Sequence, residues 1–213
     1  MRLALPLFSN HIWNRTDKFY AEYQSKMKLP IYVYGMPVLR ETAKDILPEQ
    51  KEEIEALVKD MFETLTASSG IGLAAPQIGK AIRVVVIDLS VMGDDFPEYK
   101  DFRHAYFNAH IVEYSEETES MEEGCLSLPG LSEKVVRPKS IRVQYLDEQF
   151  QPHDEWVDGF LARVMQHEFD HLDGHVFIDR ISTFRRQMIK SKVAAFQKGK
   201  VRCSYKVKTL KKI

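Results

Sequence analysis

The sequence predicts a single domain of the α+β class, on three observations. Apolar residues recur at helical spacing in two well-separated stretches, strand-like runs cluster between them, and those runs do not alternate strictly with helices as a parallel sheet would require. A chain of 213 residues is long enough to bury one sizeable core. It shows no internal repeat and no linker rich in Gly, Pro or Ser.

Residues 1–26 hold a short apolar stretch, Leu3 to Phe8, followed by polar, aromatic and acidic residues. The stretch is too short for a signal peptide, and Asp17 and Glu22 argue against an organellar transit peptide. The segment reads as a loosely packed extension. The domain is expected to begin near Met27, which also serves as the expected native start, and to run through 27–213. From Pro48 to Ala67 the spacing of Ile54, Leu57, Val58, Met61, Phe62 and Leu65 predicts an amphipathic helix, with Pro48 suited to its first turn. Gly70 and Gly72 then open a turn, and Ala81 to Leu89 reads as a buried strand.

Ser90 to Arg103 reads as an acidic loop. Strands are expected at Ala105 to Glu113, around Gly124 to Leu128, at Lys134 to Arg137 and at Ile141 to Leu146. A second helix is expected from Asp158 or Gly159, carrying Leu161, Val164, Met165, Phe169 and Leu172, with Gly174 as its C-cap. Thr183 to Phe196 reads as a basic helix, and Lys198 to Ile213 as a poorly ordered or strand-like tail.

Composition excludes several function classes. Lys plus Arg number 30 and Asp plus Glu 31, so the chain is not a generally basic nucleic-acid binder. No apolar run approaches the roughly 20 residues of a membrane helix, so no membrane partner is expected. Only Cys125 and Cys203 are present, which fits a reducing, cytoplasmic setting better than a disulfide framework.

His167-Glu168-Phe169-Asp170-His171 forms an H-E-x-x-H string inside the second helical pattern. At ~100° per residue the two histidines project ~40° apart and one turn along the axis, so both imidazoles can grip one metal ion. Glu168 lies beside that pair, placed to take a proton from a metal-bound water without itself being a ligand. A third protein ligand is still needed. No glutamate follows Glu168, and position 177 is Phe, so the thermolysin-like and metzincin-like ligand sets both fail. His175 is one candidate, although a loop position suits it better. Cys125 in Glu123-Gly124-Cys125-Leu126-Ser127 is the other, since a thiolate at a strand end would leave the fourth coordination position open. Gln77, after the glycine and alanine turn, offers an amide donor for a substrate oxygen.

Three segments, G-I-G-L-A-A-P-Q at 70–77, E-G-C-L-S at 123–127 and Q-H-E-F-D-H-L-D-G at 166–174, closely resemble the three motifs of the peptide deformylase family, in that order. The likeness extends from about Met27 to about Ser182. It implies antiparallel sheets surrounding a central helix that carries the H-E-x-x-H motif, and a metal-dependent hydrolase that removes formate from N-formylmethionyl nascent peptides. By position it implies Cys125, His167 and His171 as ligands of one divalent metal ion. Glu168 is implied as general base, with the Gln77 amide and the Leu126 N–H stabilising the oxyanion. Loss of one such donor typically costs on the order of 10²-fold to 10³-fold in rate. Backbone groups at Ile71, Gly72 and Gly124 would hold the peptide, and Ile71, Met121, Leu126, Val164 and His167 would line the methionine pocket.

Arg163, on the same helix face at the expected pocket mouth, and Glu123 are expected among the substrate-binding residues, although Arg163 by itself reads as a solvated helix charge. Glu123 and Arg137 are expected to pair behind the site, and Asp170 to orient a ligand histidine. A Cys and two-His donor set accepts zinc, iron, nickel or cobalt; the resemblance implies Fe2+ in the cell, with Zn2+, Ni2+ or Co2+ as replacements. Two other readings compete: an H-E-x-x-H zinc endopeptidase acting on ordinary peptide bonds, and a structural metal site in a binding module.

Charge is unevenly placed. Residues through Arg180 hold 19 basic and 31 acidic side chains, whereas the last 33 residues hold 11 basic and no acidic ones. The segment 183–213 is therefore expected to contact ribosomal RNA phosphates. Deletion after Phe196 is expected to weaken ribosome association while sparing turnover of short formyl peptides.

Overall fold

The computed structural model describes residues 29–210. The extension expected at 1–26 and the start expected at Met27 lie outside the described residues. Among those described, strands β1 (Ile31–Tyr32) and β2 (Gly72–Ala74) flank helix α1 (Lys51–Ala67). Then follow β3 (Val84–Asp88), β4 (Arg103–Tyr114), β5 (Thr118–Gly124), β6 (Ser132–Pro138), β7 (Ser140–Leu146) and β8 (Pro152–Asp158). Helix α2 (Gly159–Leu172), helix α3 (Thr183–Gln197) and strand β9 (Val207–Lys208) complete the order.

Strands β2-β3-β4-β7-β8 form one five-stranded sheet in which every neighbouring pair is antiparallel. β5 and β6 form a separate antiparallel hairpin. The mixed helix and antiparallel-sheet class is thus as expected, with one exception: β1 pairs β9 in parallel, Ile31 opposite Val207. The tail is therefore tied to the start of the described chain, rather than loosely attached.

β3 explains how the layers form. Its residues are buried on both faces, and alternation sends Val85 and Ile87, with Leu89 just past the strand end, to one side and Val84 and Val86 to the other. The first side packs on Val164, Met165, Phe169 and Leu172 of α2. The second packs on Ile54, Leu57, Met61 and Leu65 of α1. A third cluster joins Val135 of β6, Phe177, and Ile189 and Phe196 of α3. Helix α2 is also tied to the hairpin: Arg163 donates to the carbonyls of Val135 and Glu119, and Gln166 Nε2 to that of Pro138.

Gly174 ends α2 at φ 75°, and a Cβ there would press on the Arg40 carbonyl, so this C-cap requires glycine. The expected strand around Gly124 to Leu128 is corrected. β5 stops at Gly124, and Cys125 to Leu128 form a turn closed by the Leu128 N–H on the Cys125 carbonyl at 2.9 Å. Within the expected loop at 90–103 lie two short 3-10 turns, Ser90–Met92 and Pro97–Tyr99. No helix of the described residues is long and apolar enough to cross a membrane.

Candidate active site

The turn after β5 and the C-terminal half of α2 bring Cys125, His167 and His171 together. Their ligand atoms lie within 4.8 Å of one another, in the one group of this kind among the described residues. Cys125 Sγ sits 3.3 Å from His171 Nε2, while the His167 ring nitrogen Nδ1 lies 2.9 Å from Glu123 Oε2. That second contact leaves His167 Nε2 as its free nitrogen. Burial opposes ionisation of the Cys125 thiol, but the two histidines outweigh it and bring the thiol down to about 5. Burial likewise opposes charge on His167, but Cys125 and Glu123 outweigh it and hold the imidazole well above its usual range. Both shifts describe a pocket that favours a cation. With a soft thiolate and two imidazoles as donors, the residues fit a transition-metal ion. His175 is exposed and belongs to no such group.

Glu168 lies next to this trio, 4% exposed, and its Oε2 is buried without a hydrogen-bond partner among the described residues. Burial pushes its carboxyl up to about 7, despite the opposing pull of His167 and His171. β2 runs directly against it: a Cβ on Gly72 would collide with the Glu168 carboxylate. We therefore expect Gly72→Ala to displace that carboxylate and lower turnover by about 10²-fold with the fold retained. Steady-state kinetics beside a thermal melt check this, and unchanged kcat would count against the close approach.

Gln77, in the 3-10 turn Ala75–Ile78, is buried. Its Oε1 accepts from the Ala74 N–H at 2.8 Å, which fixes the amide so that Nε2 faces Cys125 Sγ at 3.5 Å and Ser127 Oγ at 3.3 Å. The contact to Ser127 Oγ is long for an oxygen acceptor, so that bond is weak. The Leu126 N–H makes no hydrogen bond among the described residues.

Behind the trio, Glu123 is a hub. It accepts from Arg137 at 2.7 and 2.9 Å, the expected pair, and from Arg163 at 2.9 Å. Burial raises its carboxyl, but His167 and Arg137 outweigh that and hold it well below the carboxylate range. Two expectations are corrected here. Arg163 is not a solvated helix charge: it is 6% exposed and engaged by Glu123 and two carbonyls. Asp170 does not orient a histidine; it receives Arg137 at 2.8 Å and Arg180 at 2.5 Å.

A cavity of about 280 Å³ opens onto these groups. Ile71, Gly72, Glu123, Gly124, Cys125, Leu126, Arg163, Val164, His167 and Glu168 are all in its lining. Met121 is not in its lining: it stands on β5 opposite Val135. Gln77 and His171 lie outside the lining as well. Phe160, Ser69, Gly70 and Glu122 line the cavity without having been anticipated. Phe160 was readable, being four residues before Val164 on the same helical face. A larger cavity of about 570 Å³ between β7, β8 and α2 includes none of the expected site residues.

The family model for polypeptide deformylase matches residues 28–187. The peptide deformylase of Salinibacter ruber is 42% identical over 187 residues, covering 86% of this chain and 95% of its own. That of Christiangramia forsetii is 40% identical over 189 residues, covering 85% and 96%. Among solved structures, the peptide deformylase from Thermus thermophilus matches with a TM-score of 0.70 at 38% identity, over 81% of this chain and 99% of that one. The Thermotoga maritima peptide deformylase matches with a TM-score of 0.66 at 39% identity, over 73% and 99%. With a match that spans most of the length and contains the metal-donor trio, the chain belongs to the polypeptide deformylase family.

Proposed function

We infer that the chain is a metal-dependent hydrolase that removes the N-formyl group, as formate, from the formylmethionine of nascent polypeptides. The observation that carries this is the Cys125, His167 and His171 trio beside an unpartnered buried Glu168, within a chain of the deformylase family. In this reading α2, held between sheet and hairpin, is the central support of the site, and 27–213 act as one catalytic domain in the cytoplasm.

Cys125, His167 and His171 would hold the metal, Fe2+ in the cell by the family resemblance. When bound, such an ion polarises the formyl oxygen and lowers the pKa of a water molecule. Glu168 takes the proton of the attacking water and hands it to the leaving amine, a role suited to a buried carboxylate poised near neutrality. The Gln77 amide and the Leu126 N–H receive the negative charge that develops on the formyl oxygen. Gly72 and Gly124 leave room for an extended peptide backbone. Ile71, Phe160 and Val164 provide an apolar wall for the methionine chain, with Leu126 and His167 beside them.

The test compares formyl-Met-Ala-Ser with its acetyl counterpart and with an internal peptide. Only the formyl peptide is expected to turn over, and preference for the internal bond would establish the endopeptidase instead. Chelation of the metal is expected to abolish turnover and re-addition to restore it, with metal analysis on anaerobically purified protein. Activity in metal-free protein would overturn the mechanism.

The ribosome contact is carried by the basic end of the chain. Arg185 is paired with Glu133, Arg186 donates to the Asp179 carbonyl and Lys192 to that of Gly130, so these three serve the fold. Lys190, Lys198, Lys200 and Arg202 are exposed and have no ion pair among the described residues. Replacing those four with Gln is expected to weaken ribosome association and flatten its salt dependence, with turnover of short formyl peptides unchanged. Unaltered association would remove the idea.

A further inference from the structure

The tail beyond the family match reaches the site. Tyr205 is half-buried, and its hydroxyl donates to the carbonyl of Leu126 at 2.8 Å, across 79 positions of sequence. Its ring packs in the same apolar cluster as Leu126. The strand pairing of β9 fixes Tyr205 from its C-terminal side: the Ile31 N–H donates to the Lys206 carbonyl and the Val33 N–H to that of Lys208, both at 2.9 Å.

Three further groups hold the same turn. The Leu128 N–H closes it on the Cys125 carbonyl, the Tyr34 N–H donates to the Ser127 carbonyl at 2.8 Å, and Gln77 Nε2 faces Ser127 Oγ. The carbonyls of Cys125, Leu126 and Ser127 thus each accept from a protein donor, while the Leu126 N–H has no acceptor among the described residues. A short turn whose three carbonyls are fixed has little freedom left to rotate its remaining donor. We infer that Tyr205 is a positioning residue for the reaction: through the Leu126 carbonyl it keeps the Leu126 N–H aimed at the formyl oxygen. This rests on the deformylase reading, in which that N–H meets the oxyanion. It also revises the role of the tail. A truncation after Phe196 removes Tyr205 and β9 together, so it is expected to lower turnover of short formyl peptides rather than spare it.

The experiment uses the full-length, metal-loaded enzyme with Tyr205→Phe, which keeps the ring packing and deletes only the hydroxyl. We expect kcat on formyl-Met-Ala-Ser to fall about 10-fold with KM unchanged, the pattern of a contact that matters in the transition state. Amide hydrogen exchange should quicken at Leu128 and Tyr34, whose N–H groups bond the turn, and stay unchanged in α2. A kcat within about 2-fold of wild type, or a loss without that local exchange signature, overturns the assignment. Absence of wild-type turnover would instead defeat the deformylase reading, and the exchange measurement would still report whether Tyr205 holds the turn.

Discussion

Glu168→Gln is expected to leave the metal in place and to lower kcat on formyl-Met-Ala-Ser by on the order of 10³-fold. The substitution is close to isosteric and touches none of the three metal donors, so metal content should match the wild type. What it removes is the one carboxylate at the site without an arginine partner: Oε2 is buried without a partner among the described residues, whereas Glu123 and Asp170 are fully engaged with arginines. A side chain kept buried and unpaired is costly, and the proton transfer proposed for Glu168 would account for it. Burial pushes the Glu168 carboxyl up to about 7, and a divalent cation held by the trio would draw it down, favouring the base form at neutral pH. Full turnover by Glu168→Gln with normal metal content would make the metal a structural brace and return the binding-module reading.

The parts of this fold that were legible in the sequence are those whose signal is local. α1 and α2 follow from apolar spacing, and Lys51–Ala67 and Gly159–Leu172 fall close to the expected ranges. α3 spans Thr183–Gln197, one residue beyond the expected Phe196. Strands defined by a partner were missed, as β8 was, or left open between poorly ordered and strand-like, as the tail that holds β9 was. β8 has six of its seven residues exposed, so no alternation marks it, and it exists because β7 offers an edge to pair with. β9 is two residues long and is specified by β1, some 176 positions away. The same division holds in the site. His167, Glu168 and His171 are one helical turn and can be read directly, but the burial of Arg163 depends on Glu123, 40 positions distant. A lone arginine on a helix reads as solvated until its carboxylate is located. Tyr205 carried no signal at all, since the group it bonds is a backbone carbonyl that every residue possesses.

Glu123→Ala is expected to destabilise the protein by about 3 to 5 kcal/mol, the usual cost of stripping one partner from a buried ion pair. Arg137 and Arg163 are 4% and 6% exposed, and both would be left as cations facing an empty position. Arg137 retains Asp170, but Arg163 retains only the two carbonyls. At about 2 to 4 °C per kcal/mol for a chain of this size, the melting temperature should drop by roughly 10 °C. Metal affinity should fall about 10-fold to 100-fold as well, because His167 Nδ1 loses the carboxylate that fixes its tautomer. The pH dependence separates this charge effect from lost packing. The folded carboxyl of Glu123 is depressed below its ordinary value of 4.5, so its contribution is fully present above that pH and is lost as pH falls through the lower folded value. The gap in stability between wild type and Glu123→Ala should therefore stay constant near neutrality and narrow in acid, because protonated Glu123 no longer neutralises the two arginines. Melts of both proteins across that range decide the matter: a gap that does not change with pH would mean that Glu123 acts by filling space, and the ion-pair hub would have to be given up.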